Sequence, residues 1–193
     1  MSRLTPILLV LALLWGTLAG CSDDNPPPPR KRGGLAVGDM AYDFRLLDSQ
    51  GQWIRFADVE EGWFTVLVFY RGSWCAACVN HLNEIKAKYD RFLSRRAALM
   101  AVSVESVNDL AEFQHQWRFP FPVLSDMRLR VVDAYGARDP KKNSGQYISR
   151  NCTVIIDPKK RVRYKYVGMH PHDVPHIAEI LELIDKFRGT PSP

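Results

Sequence analysis

Thr65 to Tyr70 reads TVLVFY, an unbroken apolar stretch of strand length and composition. A strand with one wet face alternates apolar and polar side chains, whereas a strand covered on both faces does not. The run therefore predicts a central strand between two layers, and it ends four residues before Trp74-Cys75-Ala76-Ala77-Cys78. Beyond the cysteines, Val79, Leu82, Ile85, Tyr89, Phe92 and Leu93 recur at three- and four-residue steps, which predicts one face of a helix starting near Cys75. The cysteine pair is thus expected where a buried strand turns into a helix.

The rest of the chain fits around that unit. Phe44 to Leu46 and Trp53 to Phe56 flank Asp48-Ser49-Gln50-Gly51 and predict a small N-terminal β-hairpin. A second buried strand is expected over Ala98 to Val104, after which Ser106 opens a helix carrying Val107, Leu110 and Trp117. Phe119 to Pro122 reads as extended, and Arg128 to Tyr135 as a short helix stopped by Gly136. A polar loop is expected from Asp139 to Ser149, then strands over Cys152 to Ile156 and Arg161 to Val167. The last helix is expected to begin near Asp173 and to bury Val174, Ile177, Ile180, Leu181 and Ile184. This order implies an α/β fold with a mixed central sheet flanked by helices.

Residues 1–20 are read as a signal peptide, because Arg3 precedes an apolar run from Ile7 to Trp15 and small residues before Cys21. A spanning helix needs roughly 20 apolar residues, more than this run supplies. Leu18-Ala19-Gly20-Cys21 resembles a bacterial lipobox, which implies lipid on Cys21, anchorage at the periplasmic face of the cell envelope and, with Ser22 following, the outer membrane. Residues 21–34 hold four consecutive prolines, the basic triplet Arg30-Lys31-Arg32 and two glycines, and are expected to form an extended tether. Residues 35–193 are then one domain. The net charge of +5 is scattered rather than striped, so nucleic acid is not an expected partner.

A cysteine sulfur attacks as the thiolate, and the N-terminus of a helix favours that form through free N–H groups and the positive end of the dipole. The second cysteine, one turn on and more covered, can close a small ring with the first. A purely structural disulfide over so short a loop would restrict little chain entropy. Structural zinc would need four ligands, and only His81 and the distant His170, His172 and His176 are on offer. A Cu(I) carrier using the two soft thiolates is a further alternative. No Gly-rich phosphate loop appears, so no organic cofactor is expected.

With these residues in view, the chain resembles the peroxiredoxin branch (alkyl hydroperoxide reductase and thiol-specific antioxidant) of the thioredoxin superfamily. Val37-Gly38-Asp39 with Asp43-Phe44 resembles that family's opening. Phe121 to Asp126 with Ala134-Tyr135-Gly136, and Val154 to Pro158, resemble its later segments. The resemblance implies a thioredoxin-like fold, a hydroperoxide substrate and an external dithiol reductant. It also places Cys78 where the family's peroxide-attacking cysteine stands, with Cys75 resolving. Counted against thioredoxins, WCAAC reverses the roles, Cys75 attacking protein or small-molecule disulfides.

The departures are specific. Arg71 stands where the family has a proline, Cys75 where it has a threonine, and Tyr42 where it has another proline. The family's peroxide-orienting arginine falls at Asn151, with Arg150 one position away, so Arg150 is the candidate for that role. Cys152 reads as a small core residue or a backup resolving thiol. The expectation is therefore a lipid-anchored thiol-dependent peroxidase working through Cys78 and Cys75. The alternatives are a thiol–disulfide oxidoreductase led by Cys75 and a Cu(I)-binding module without turnover.

Overall fold

The computed structural model describes residues 26–29 and 31–190, and the expected signal segment and the lipidation site Cys21 lie outside them. The chain runs β1 (Arg45–Asp48), β2 (Trp53–Arg55), a 3-10 turn (Phe56–Asp58), β3 (Phe64–Phe69), α1 (Ala76–Ala87) and α2 (Tyr89–Leu93). It continues through β4 (Ala97–Ser103), α3 (Val107–Trp117), β5 (Val123–Ser125), α4 (Arg130–Ala134), β6 (Cys152–Ile156), β7 (Val162–Val167) and α5 (Ile177–Arg188). The strands form one sheet in the order β2-β1-β5-β4-β3-β6-β7. Within it β3, β4 and β5 are parallel, and the remaining pairings are antiparallel.

Every residue of β3 is buried, as its unbroken apolar run requires. Val66 and Val68 point into a core built with α1, α2, α3 and α5, while Leu67 and Phe69 point into a second core closed by α4 and the N-terminal segment. At roughly 1.5–3 kcal/mol for each large side chain buried, the two-faced strand is a main anchor of the fold. The hairpin, the β4 strand and the Ser106 helix start appear as expected. Ser106 and Asp109 form a capping box at the head of α3.

Four features differ from expectation. The helix after the cysteines breaks at Lys88, whose φ of −118° and ψ of 14° leave the helical region. No glycine or proline marks that break. A strand, β5, forms directly after the expected extended stretch Phe119 to Pro122, where no strand was expected, because β4 and β1 lie on either side to pair with it. The last helix starts at Ile177 rather than near Asp173. The Asp173 carboxylate is engaged in a turn, accepting the Met169 N–H at 2.7 Å and the Tyr166 hydroxyl, and Pro175 disfavours helix at Val174.

The end of the expected tether is also folded onto the domain. Lys31 pairs with Asp39 at 2.6 Å, and the Leu35 N–H reaches the Ala134 carbonyl at 2.7 Å. Here Gly34 crosses Gly136, the residue that terminates α4 at a φ of +66°. A Cβ on Gly136 would sit 2.1 Å from the Gly33 carbonyl oxygen, so only glycine permits the crossing.

Candidate active site

The sheet delivers β3 to the surface at Tyr70, and the chain turns through Arg71 to Trp74 before α1 begins. Cys75 is the N-cap of α1, and its Sγ accepts the Cys78 N–H at 3.3 Å. Cys75 and Cys78 form a disulfide with their Cα atoms 5.2 Å apart. Cys75 is 6% exposed and Cys78 2%, so both residues are buried and Cys78 is the more completely covered.

The turn is held from β4. Glu105 accepts the Ser73 N–H at 2.9 and 3.0 Å, the Ser73 hydroxyl at 2.6 Å and the Ser103 hydroxyl at 3.0 Å. Four charge-assisted contacts on one carboxylate make this the firmest polar junction at the site. The Tyr70 phenol beside it stays protonated, its pKa pushed well up by burial and then by the Glu105 charge. Trp74 is 53% exposed and, with Met127, lines a groove of about 740 Å³ that opens next to the pair.

From the other side, Asn151 precedes β6. Its Oδ1 lies 3.4 Å from Cys78 Sγ, and its Nδ2 donates to the Pro171 carbonyl at 2.6 Å. Arg150, the candidate peroxide-orienting residue, donates from Nη2 to the Gly136 carbonyl at 3.0 Å, and its Nε has no hydrogen-bond partner. Arg150 and Arg71 both border a small cleft against Asn151, with Asp139, Gly168, Met169 and His170 completing the wall. The structure thus joins Cys75 to Cys78, sets Asn151 against Cys78, and places the two arginines at the adjacent cleft.

Cys152 is elsewhere. It pairs across the sheet with Phe69 and belongs to the second core, whereas Cys75 and Cys78 belong to the first. Burial pushes its thiol up to about 12. That placement matches the reading of Cys152 as a small core residue and separates it from the pair by the thickness of the sheet. His81, a turn beyond Cys78, is buried, and burial pulls its imidazole down to about 4. It lines a cavity of about 360 Å³ with His172 and His176. Among the described residues, no group of three or more His, Cys, Asp or Glu side chains is placed to hold a metal ion.

Glu105 did not stand out as functional in the sequence, because a lone glutamate at a strand end carries no spacing signal. The resemblance marked position 151 as that of the family's arginine, but the contact of its asparagine with Cys78 Sγ is made only in the tertiary structure.

This arrangement can do reversible sulfur redox chemistry: two sulfurs at bonding distance, one at a helix N-terminus, beside an open groove. Comparison with known proteins agrees. The chain is 24% identical to peroxiredoxin Bcp of Bacillus subtilis (strain 168) over 152 residues, covering 78% of this chain and 95% of that one. It is 25% identical to the chloroplastic peroxiredoxin Q of Triticum aestivum over 169 residues, covering 83% and 76%. Among solved structures, peroxidoxin BcpB of Mycobacterium tuberculosis superposes with a TM-score of 0.71 at 24% identity, over 80% of this chain and 99% of that one. The mitochondrial 2-Cys peroxiredoxin of Plasmodium falciparum gives 0.69 at 20% identity, over 82% and 100%. Residues 37–165, most of the folded domain and of the whole chain, match the AhpC/TSA family, so that the protein with this cysteine-capped helix belongs to that peroxiredoxin family and is a thiol-dependent peroxidase.

Proposed function

We propose that the peroxidase cycle of this protein runs through the Cys75–Cys78 pair. One thiolate attacks the terminal oxygen of a hydroperoxide, the O–O bond breaks, and the alkoxide or hydroxide leaves and takes up a proton. The sulfenic acid then condenses with the neighbouring thiol, releasing water and closing the disulfide. An external dithiol returns both sulfurs to the reduced state and leaves as a disulfide. The observation that carries this reading is the closed pair itself, with a Cα separation of 5.2 Å at the first turn of α1. No loop has to unfold for the second sulfur to reach the first.

A second reading, thiol–disulfide exchange with a protein partner led by Cys75, is favoured by the exposed Trp74 and the groove beside it. One experiment separates the two. The reduced full chain, held in detergent, is mixed with hydrogen peroxide in a stopped-flow instrument while tryptophan fluorescence is followed and oxidised sulfurs are mapped by mass spectrometry. Peroxidase function requires oxidation far faster than that of a free thiol, with one peroxide consumed per disulfide formed. Oxidation no faster than free cysteine, with rapid mixed-disulfide formation at Cys75, leaves the exchanger.

We further propose that Cys21 is lipidated and holds the domain at the cell envelope, on the support of residues 18–22 alone. Metabolic labelling with an alkyne fatty acid tests this: label lost in Cys21→Ser supports it, and label absent from the wild type overturns it.

A further inference from the structure

The Asn151 side chain has one orientation open to it. Its Nδ2 faces the Pro171 carbonyl at 2.6 Å, and turning the amide over would set two acceptor oxygens against each other at that distance. The main chain is fixed as well, because the Asn151 carbonyl accepts the Gly168 N–H at 2.8 Å. Asn151 is 5% exposed, so the oxygen left pointing at Cys78 Sγ, 3.4 Å away, is a buried acceptor with no freedom to turn.

In the disulfide, Cys78 Sγ carries no proton and the approach is a contact. On reduction the two forms of Cys78 meet that oxygen differently. A thiol can donate its S–H to it, whereas a thiolate presents a full negative charge to the negative end of the amide dipole. Cys75 meets the opposite environment: its sulfur already accepts an N–H at the helix N-terminus, 3.3 Å from the Cys78 nitrogen, and it is the less covered of the two.

We propose that Asn151 is a positioning residue that keeps Cys78 as the neutral, resolving thiol and leaves Cys75 as the sulfur that attacks peroxide. This rests on the peroxidase reading and assigns roles within it, opposite to the count along the family's active-site strand. In the cycle, the Cys75 thiolate takes the peroxide oxygen. Cys78 then attacks the Cys75 sulfenic acid, and its proton leaves with the hydroxyl as water.

The charged groups around the pair do not decide the order by themselves. Arg71 and Arg150 border the cleft against Asn151 with His170 and Asp139, and favour either thiolate. Glu105 lies behind Ser73. His81, on the next turn of α1, is buried and uncharged at neutral pH. The oriented amide acts on Cys78 alone, and the N-cap hydrogen bond acts on Cys75 alone.

The test follows thiolate absorbance near 240 nm against pH in the reduced full chain. Cys78→Ser reports Cys75, and Cys75→Ser reports Cys78. The expected result is that Cys75 ionises at least tenfold more readily, a midpoint one pH unit or more lower. In the Cys75→Ser background, Asn151→Leu moves the Cys78 midpoint to lower pH, and Asn151→Asp, which sets a carboxylate there, moves it to higher pH. A merely structural role for Asn151 would shift both variants the same way. A Cys78 midpoint at or below that of Cys75, or parallel shifts in the two variants, overturns the proposal. If Asn151→Leu does not fold, Asn151→Ala, which also removes the acceptor oxygen, takes its place against Asn151→Asp, with the same opposite shifts expected. Absence of peroxide reactivity leaves these titrations untouched, so failure of the peroxidase reading and failure of the role assignment show up in different measurements.

Discussion

Glu105 accepts both the backbone N–H and the hydroxyl of Ser73, at 2.9, 3.0 and 2.6 Å, joining the end of β4 to the turn that presents Cys75. Removal of the carboxylate leaves the Ser73 N–H without a partner in a half-buried place. Hydrogen bonds to a charged group are worth about 1.5–3 kcal/mol. Glu105→Ala is therefore expected to cost about 2 kcal/mol and to slow peroxide oxidation of the pair by roughly tenfold, because the attacking sulfur loses its fixed approach. Glu105→Gln, which retains one acceptor, should fall between. Stopped-flow rates for both variants check this, and an unchanged rate in Glu105→Ala would contradict it.

Cys152→Ser should leave the peroxide reaction within twofold of wild type, since the sheet separates this residue from the pair. It should lower stability by about 1–3 kcal/mol, the cost of placing a hydroxyl in an apolar core. Denaturant unfolding and the peroxide assay measure the two effects separately. A fall in peroxidase rate without loss of stability would restore Cys152 as a redox participant.

His81 makes stability depend on pH in a definite direction. Its folded-state value of about 4 lies below the ordinary 6.5, so between these pH values the unfolded chain binds a proton that the folded chain refuses. The contribution is fully present above pH 6.5 and is lost as pH falls towards 4, on the order of 3 kcal/mol. Asp126 acts in the opposite sense: burial pushes its carboxyl up to about 7, so its contribution is present below pH 3.8 and lost as pH rises through 7. The comparison must therefore be between wild type and His81→Leu at each pH. The variant should gain on the wild type as pH drops from 7 to 4, and equal slopes for the two proteins would sink the assignment.

Gly136→Ala should destabilise by at least about 2 kcal/mol, combining a left-handed backbone with a clash against Gly33. Gly145→Ala is the control, because its φ of +85° is equally unfavourable but nothing lies within 4 Å of the added carbon. It should cost only about 1 kcal/mol. Limited proteolysis after Lys31 should accelerate in the first variant and not in the second, since only the first displaces the docked N-terminal segment.

Local pattern along the chain carries part of this fold. TVLVFY marked a strand covered on both faces, the three- and four-residue spacing from Val79 marked a helix, and Ser106 marked a helix start. The cysteine pair at the strand-to-helix turn followed from those periodicities, and with it the class of chemistry. Tertiary structure decided what depends on residues far apart in the chain. The short β5 exists because β1 and β4 come to either side of it. The helix break at Lys88 carries no glycine or proline to announce it, and the late start of α5 follows from the Asp173 turn together with Pro175. The surroundings of the two sulfurs belong to the same class: Cys75 and Cys78 are separated by only three positions, yet Cys78 alone meets an asparagine 73 residues downstream whose amide is held by Pro171.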